Sequence, residues 1–399
     1  MRGDPRQRQV SCPDPAQRSA LAAVLAHAFG FPIEDAAGWF ATAGDDNLRV
    51  LLSNDEVLAG LMHVPMGTWV GGRSVPTVGI AGVGVRLDAR RQGVASDLMT
   101  ETVLELHRRG VALSSLYAST YALYQAVGFD AAASCHLATV DPRLLPAHGR
   151  EGQVELLSAA NRPEIEAAHR DFYRSGLGED LHHERGPYLW ERTLGVRRGQ
   201  RALGLCVRDD SGRICGWLSY RPEPAGGRHR VVVQDLFATA PWAAQRVWSA
   251  VADMAAMATE IVFATAPTDG MLLALPQPRF EVRLFDLLLL RICDVAAALQ
   301  ARGYRDAPNG AVCFHLHDAQ VAANAGAWTL EVEAGVGTLR RGGTPELDLD
   351  VRTLASLYAG FASATALQQG GRQLSGDRAA IDRLAGLLRT RSAWTRDMY

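Results

Sequence analysis

Across the first 145 residues the spacing of apolar positions switches repeatedly between the helical period of about 3.6 and the strand period of about two. SALAAVLAHAF (residues 19–29) has helical spacing. LRVLLSN and EVLAGLMHVPMGTWV, which meet at Asn54-Asp55, predict a hairpin. VPTVGIAGVGV (75–85) reads as the next strand and VASDLMTETVLELHRRG (94–110) as a helix with Val94, Leu98, Thr102 and Leu106 on one face. Gly110, after Arg108 and Arg109, is a C-terminal stop. LSSLYAS (113–119) predicts a strand and YALYQAVGF (121–129) a short helix ending at Gly128, while FGFPIEDAAGWF (29–40) reads as an early loop. The order β–β–β–α–β–α predicts a mixed α/β layer.

Proline and glycine gather in DPRLLPAHGREGQ (141–153), the best linker in the chain. Beyond it a second segment has a helix near NRPEIEAAHRDFYRSG, strands near RALGLCVRDD, ICGWLSYRPE and RVVVQDLFA, and a helix from Pro241 to about Ala258. A third, starting near DVAAALQARGY, holds the strands VCFHLHDA, AWTLEVEAG and VGTLRR and ends in helices between DVRTLASLYAGF and DRAAIDRLAGLLRT, a small α+β unit. The chain thus divides at 1–145, 146–295 and 296–399, in keeping with its 399 residues. The second segment has the strand-and-helix size of the first, and no sequence repeat marks a duplication.

Hydrophobic residues at 48% and charged residues at 21% fit a globular protein, and a net charge of -2 argues against nucleic-acid or membrane-surface partners. All 41 basic residues are arginine, which excludes a Schiff-base or P-loop lysine. Cys12, Cys135, Cys206, Cys215, Cys293 and Cys313 form no Cys-x-x-Cys pair and suggest the reduced thiols of a cytoplasmic protein. MRGDPRQRQVSCPDP lacks the apolar run of a signal peptide. FDLLLLRICDV (285–295) is a buried strand, far short of the ~20 residues that span a bilayer.

The chemistry concentrates at VGVRLDARRQGVASDLM (83–99), where an apolar strand runs through a basic, glycine-hinged loop into a helix. Outward-facing N–H groups at such a helix start, with the positive end of the dipole, make a pyrophosphate site. Gly93 and Ala95 let a phosphate approach the backbone, and Arg90 and Arg91 add charge. A dinucleotide fingerprint fails because Gly82-x-Gly84 lacks a third glycine, and a P-loop fails for want of lysine. Arg201–Cys206 repeats the loop pattern by chance, within a strand that no helix follows.

What remains resembles the Q/R-x-x-G-x-G/A loop of the GNAT acetyltransferases at Arg90, Gly93 and Ala95. The resemblance implies acetyl-CoA as co-substrate, with its pyrophosphate on Arg90, Arg91, Gln92, Gly93, Val94, Ala95 and Ser96. Its pantetheine arm would pair with Val83, Gly84 and Val85 as an added strand. It also implies that Tyr124, just before Val127-Gly128-Phe129, protonates the departing thiolate. A closer resemblance, in order and spacing, joins VPTVGIAGVGV, RRQG, YQAVGF, LLLLRICDVAAALQARGY and ELDLDVRTLASLYAG to the enhanced-intracellular-survival (Eis) acetyltransferases. That family implies a catalytic GNAT domain, a second GNAT-like domain without the CoA loop, and a sterol-carrier-protein-like α+β domain. It implies N-acetylation of small amines such as aminoglycosides or polyamines, a homo-oligomer (hexamer), and a C-terminal carboxylate, here that of Tyr399, serving as general base in the first domain.

Two departures from the family concern the substrate: the early loop FGFPIEDAAGWF, which is shorter than the family's, and Ala81–Gly82. Family members often carry a serine and a bulky aromatic where this chain has Ala81 and Gly82, which leaves the pocket wider or differently filled. Glu34, Asp35 and Trp39 form an amine pocket on one reading; on the other Trp39 is core and the acids face solvent. His182-His183-Glu184 and His315-x-His317 lack partners at metal-ligand spacing, and Glu331/Glu333 and Asp348/Asp350 alternate as solvated strand faces do, so no metal is expected. The rival functions are an acyltransferase that tailors a specialised metabolite and a carrier of apolar ligands through residues 296–399.

Overall fold

The structure is a computed structural model that describes residues 8–146, 149–197, 199–277 and 279–399. The start of the segment read for a signal peptide and two residues of the linker lie outside the described residues.

The first segment runs β1 (Arg8–Ser11), α1 (Pro15–Phe29), α2 (Asp35–Ala43), β2 (Leu48–Ser53), β3 (Glu56–Val70), β4 (Arg73–Val85), α3 (Val94–Arg108), β5 (Leu113–Tyr117), α4 (Tyr121–Ala126) and β6 (Asp130–Val140). The second runs β7 (Gln153–Leu156), α5 (Arg162–Arg174), β8 (His183–Glu184), α6 (Pro187–Leu194), β9 (Val196–Arg197), β10 (Gln200–Arg201), β11 (Leu203–Arg208), β12 (Ile214–Ala225), β13 (Arg228–Ala238), α7 (Pro241–Ala252), β14 (Ala258–Thr265), α8 (Gly270–Leu273) and β15 (Phe280–Ile292). The third comprises α9 (Val295–Ala301), β16 (Gly310–His317), β17 (Gly326–Glu333), β18 (Val336–Arg341), β19 (Leu347–Asp350), α10 (Val351–Ala359), α11 (Ala364–Gln369), β20 (Leu374–Gly376) and α12 (Arg378–Leu387).

Local chemistry accounts for most boundaries. Asp14 and Gln17 form a capping box on α1, and Gly30 ends it in the left-handed region. Asn54 and Asp55 both take positive φ, the backbone of a two-residue hairpin turn. The predicted face of α3 is buried, together with Met99 and Val103. Two expectations fail. The early loop contains α2, whose Ala36, Phe40 and Ala43 supply a buried stripe at i, i+4 and i+7. And α7 stops at Ala252 rather than near Ala258, because Ala258 begins β14, which pairs in parallel with β13.

One sheet runs β1-β2-β3-β4-β5-β15-β6-β14-β13-β12-β11-β7, with β8 added on β3. Each half repeats a motif: an antiparallel meander, then a helical crossover to a parallel strand, β4–α3–β5 in the first and β13–α7–β14 in the second. The terminal strands are exchanged between halves. β15 lies against β5 while β6 lies against β14, and the two pair with each other. The sheet is therefore continuous through both segments. The third segment forms its own sheet, β18-β17-β16-β19-β20, and shares a core with residues of β5, β6 and β15. Among the described residues no helix is long and apolar enough to cross a membrane.

Candidate active site

A cleft opens where β4 leaves its neighbour. β4 pairs with β5 only from Thr77 to Gly79, so from Ile80 the two strands part. On its other edge the β3–β4 register shifts between Gly60 and Met62. Gly82, at φ 62°, supplies that bulge in a region where glycine alone is unstrained. Past Val85 the chain turns into α3 through Arg91 at φ 58° and Gly93 at φ 79°. No side chain caps α3, so its first-turn N–H groups stand open at the positive end of a fifteen-residue helix.

The resulting cleft has a volume of about 560 Å³ and is lined by Val83, Gly84, Val85, Arg90, Arg91, Gly93, Val94, Ala95 and Ser96, with Phe29, Ser119, Thr120, Leu123 and Tyr124 completing it. Gln92 does not line it. Its amide donates to the Asp88 carbonyl at 2.8 Å, and its own carbonyl accepts from Arg8 at 3.0 Å, so it closes the loop instead of facing a ligand. A cavity of similar size between α1 and the β2–β3 turn, lined by Ala20, His27, Asp55 and Arg86, reaches neither Tyr124 nor the chain end. It has no uncapped helix start.

Tyr124 is buried against Phe129, and burial pushes its phenol up to about 12. Its hydroxyl has no hydrogen-bond partner among the described residues, so the proton is held firmly and is free to face whatever fills the cleft.

The C-terminal tail is threaded through the molecule. Ser134 of β6 and Trp394 form a parallel bridge, and Trp394 is 1% exposed with its indole donating to Glu179. Arg185 holds Asp397 at 2.8 Å and Asp235 at 2.5 Å, all three side chains within 3% of full burial. Tyr117 donates to the Asp397 carbonyl at 2.7 Å and Arg192 to the Met398 carbonyl at 3.0 Å. The Tyr399 hydroxyl lies 2.6 Å from Ser115 Oγ. Its ring lies so close over Gly79 that a β-carbon there would be 2.7 Å from Cε2. Gly79 and Ser115 form the last pair of the β4–β5 ladder, so the terminal tyrosine sits at the vertex of the splay.

On this side of β4, Trp39 packs over Gly82, where a β-carbon would come within 2.9 Å of its ring. Trp39 stacks edge-on with Phe29 and Phe31 and donates to the Tyr188 hydroxyl at 2.7 Å. Met62, Met66, Ala81 and Tyr399 belong to the same apolar cluster. The space opened by Ala81–Gly82 is thus refilled from α2. Glu34 and Asp35 are exposed, outside the cleft, with no ion pair among the described residues.

Sequence reasoning did not find Ser115, Tyr188 or His183, which come from three separate elements. His183 is buried with its ring 5.8 Å from that of Tyr399, and His182 lies 4.4 Å from Trp394. The pair lines the tail's channel. The only prior signal was the His-His-Glu run itself, read for metal.

Residues 14–132 match the acetyltransferase (GNAT) domain, residues 182–292 a second acetyltransferase (GNAT) domain, and residues 295–396 the sterol carrier protein domain. An uncharacterized N-acetyltransferase of Streptomyces avermitilis is 31% identical over 317 residues, 76% of each chain. The N-acetyltransferase Eis of Mycobacterium tuberculosis is 27% identical over 378 residues, 88% of this chain and 89% of that one. The crystal structure of a GCN5-related N-acetyltransferase from Anabaena variabilis superposes with a TM-score of 0.92 at 25% identity, covering 98% of this chain and 100% of the other.

Proposed function

As the chain belongs to the Eis-like N-acetyltransferases of the GNAT superfamily, we propose that it transfers the acetyl group of acetyl-CoA to the amine of a small aminoglycoside-like or polyamine-like substrate, by direct attack. The observation that carries this reading is the uncapped start of α3 opening onto a cleft that ends at Tyr124. The pyrophosphate sits on the N–H groups after Gly93 with Arg90 and Arg91 beside it, and the pantetheine arm pairs with the free edge of β4 from Ile80 to Val85.

The acetyl group then lies in the splay between β4 and β5. Tyr124 stays a phenol at working pH and donates along its O–H to the sulfur as the C–S bond breaks. The burial that keeps it protonated also makes it a weak acid, so its contribution begins as a hydrogen bond and becomes a proton only as the thiolate leaves. The carboxylate of Tyr399 takes the amine proton. An ordinary α-carboxyl pKa of ~3.5 is low for that task, so the base role requires burial or a close partner for this group. The family resemblance extends to a cytoplasmic homo-oligomer, a hexamer. The tail's commitment to the first sheet argues against a free carrier role for residues 296–399.

The test is CoA release from acetyl-CoA across a panel of aminoglycosides, polyamines and amine-bearing metabolites, with acetyl-CoA affinity measured by calorimetry. Turnover with at least one amine is expected, lost together with acetyl-CoA binding in Arg91→Glu/Gly93→Asp. Absence of acetyl-CoA binding to the unaltered chain overturns the proposal.

A further inference from the structure

The third domain carries a cluster that sequence spacing alone hides. β16 and β19 pair in parallel with His315 opposite Asp348. Phe314, Leu316, Leu347 and Leu349 face the core, and by the period of two His315, His317 and Asp348 share the open face of the sheet. A 33-residue separation hid the carboxylate from any reading of His-x-His, and the solvated-face pattern of Asp348 and Asp350 concealed it further.

The contacts form a nearly equilateral triangle. His315 Nδ1 lies 3.3 Å from His317 Nε2 and 3.5 Å from Asp348 Oδ1, while His317 Nε2 lies 3.4 Å from that same oxygen. A tetrahedral centre with bonds of ~2.0–2.1 Å has ligand–ligand edges of ~3.3–3.4 Å. An octahedral centre with the same bonds would need edges near ~2.9 Å. A hydrogen-bonded chain of two imidazoles and a carboxylate requires only two close contacts. Here all three edges are equal within 0.2 Å, so the three ligand atoms form one triangle of the size that a tetrahedral ion spans. Asp348 pairs with these imidazoles and with no arginine among the described residues, in a chain whose other ion pairs are almost all made by arginine.

We propose that His315, His317 and Asp348 form a binding site for a divalent transition metal of the zinc class, with tetrahedral geometry and a fourth position open to solvent. Two imidazoles and a carboxylate suit Zn2+ and Co2+ over the oxygen-seeking Mg2+ and Ca2+. The side chains are 37%, 45% and 50% exposed, so the ion reaches the site without any rearrangement of the fold. Once bound, it clips β19 to the central strand β16. The site is independent of acetyl transfer, since none of its residues touches the cleft or the tail.

The experiment uses the full chain without an affinity tag, stripped with chelator, and titrated with Co2+. One equivalent per chain is expected, with the intense visible absorption of tetrahedral Co2+, abolished by displacement with Zn2+. Asp348→Asn should weaken uptake by at least the roughly 100-fold that outer-shell changes alone reach. His315→Ala/His317→Ala should remove it, with a melting temperature in chelator equal to that of the unaltered chain. A weak octahedral spectrum, or tetrahedral uptake that persists in His315→Ala/His317→Ala, overturns the proposal.

Discussion

Tyr124 presents a separable test of chemistry against packing. Its hydroxyl makes no protein hydrogen bond among the described residues, while its ring fills the wall beside Phe129 and Leu123. Tyr124→Phe should therefore leave thermal stability and acetyl-CoA affinity unchanged while kcat falls ~100-fold or more, the scale of a lost general acid. Steady-state kinetics beside a melting curve checks this, and a stability loss matching the rate loss would return Tyr124 to the core. Gly93 tests the anion loop. A β-carbon there has open space, 3.8 Å from Arg8, yet φ of 79° carries a strain of ~1–2 kcal/mol for any other residue. Gly93→Ala should raise KM for acetyl-CoA several-fold at nearly constant kcat. Both residues are legible in the sequence because their roles arise within one strand–loop–helix junction. Ser115 and Tyr188 are not, because a serine in a strand and a tyrosine in a helix acquire their part only when β5 and α6 converge on the chain end.

The strand β4 is the element on which the site depends, through what it leaves unpaired. Its separation from β5 after Gly79 opens the space in which the proposed thioester would lie, and Gly79 must be small for Tyr399 to lie there. Gly79→Ala overpacks the vertex, also meeting Met66 Cε at 2.9 Å, and should cost ~1–3 kcal/mol of stability as well as activity. In a Tyr399→Ala background the same substitution should cost much less, because Met66 is flexible and the ring is gone. A double-mutant cycle by urea denaturation reads that coupling, and additive costs would mean that Tyr399 does not occupy the vertex. At this scale the helix face of α3 and the β2–β3 hairpin are legible from periodicity and turn residues. The exchange of β6 and β15 and the meeting of β16 with β19 are not. Strand pairing over tens of residues leaves no local trace in either partner, and Leu287–Leu290 reads as a buried strand without revealing which sheet receives it.

The whole molecule is closed by a tail running between its domains, and its electrostatics set how acid opens it. Removing Asp397 leaves Arg185 with Asp235 alone in a fully buried setting, so Asp397→Ala should cost ~3 kcal/mol and release Tyr399, lowering kcat with it. The protein also holds buried imidazoles, with His182 and His183 along this seam and His63 away from it, beside Arg109. Burial, with Arg49 and Arg109 adding repulsion, lowers His63 to about 3; burial against the pull of Asp397 leaves His183 at about 4. His169 and His182 lie well below their ordinary value, through burial and then through Arg185 and Arg396 respectively. The unfolded chain titrates all four near pH 6.5, so between that value and about pH 4 it binds protons that the native state refuses. Stability must then fall as pH falls, by up to ~1.4 kcal/mol per pH unit for each histidine. Burial also lowers His136, which adds to this uptake, and raises Glu179, which works the other way over part of the window. Urea midpoints at pH 7, 6 and 5 should give that slope, and His63→Leu should reduce it by one proton while leaving stability at pH 7 at least equal. His182 lies against Trp394 and His183 against Tyr399, so protonating them undoes the channel and the vertex together. Fold and tail anchorage should therefore be lost over one pH interval, and a chain that stays folded with the tail released would show that the fold is held by something other than these buried rings.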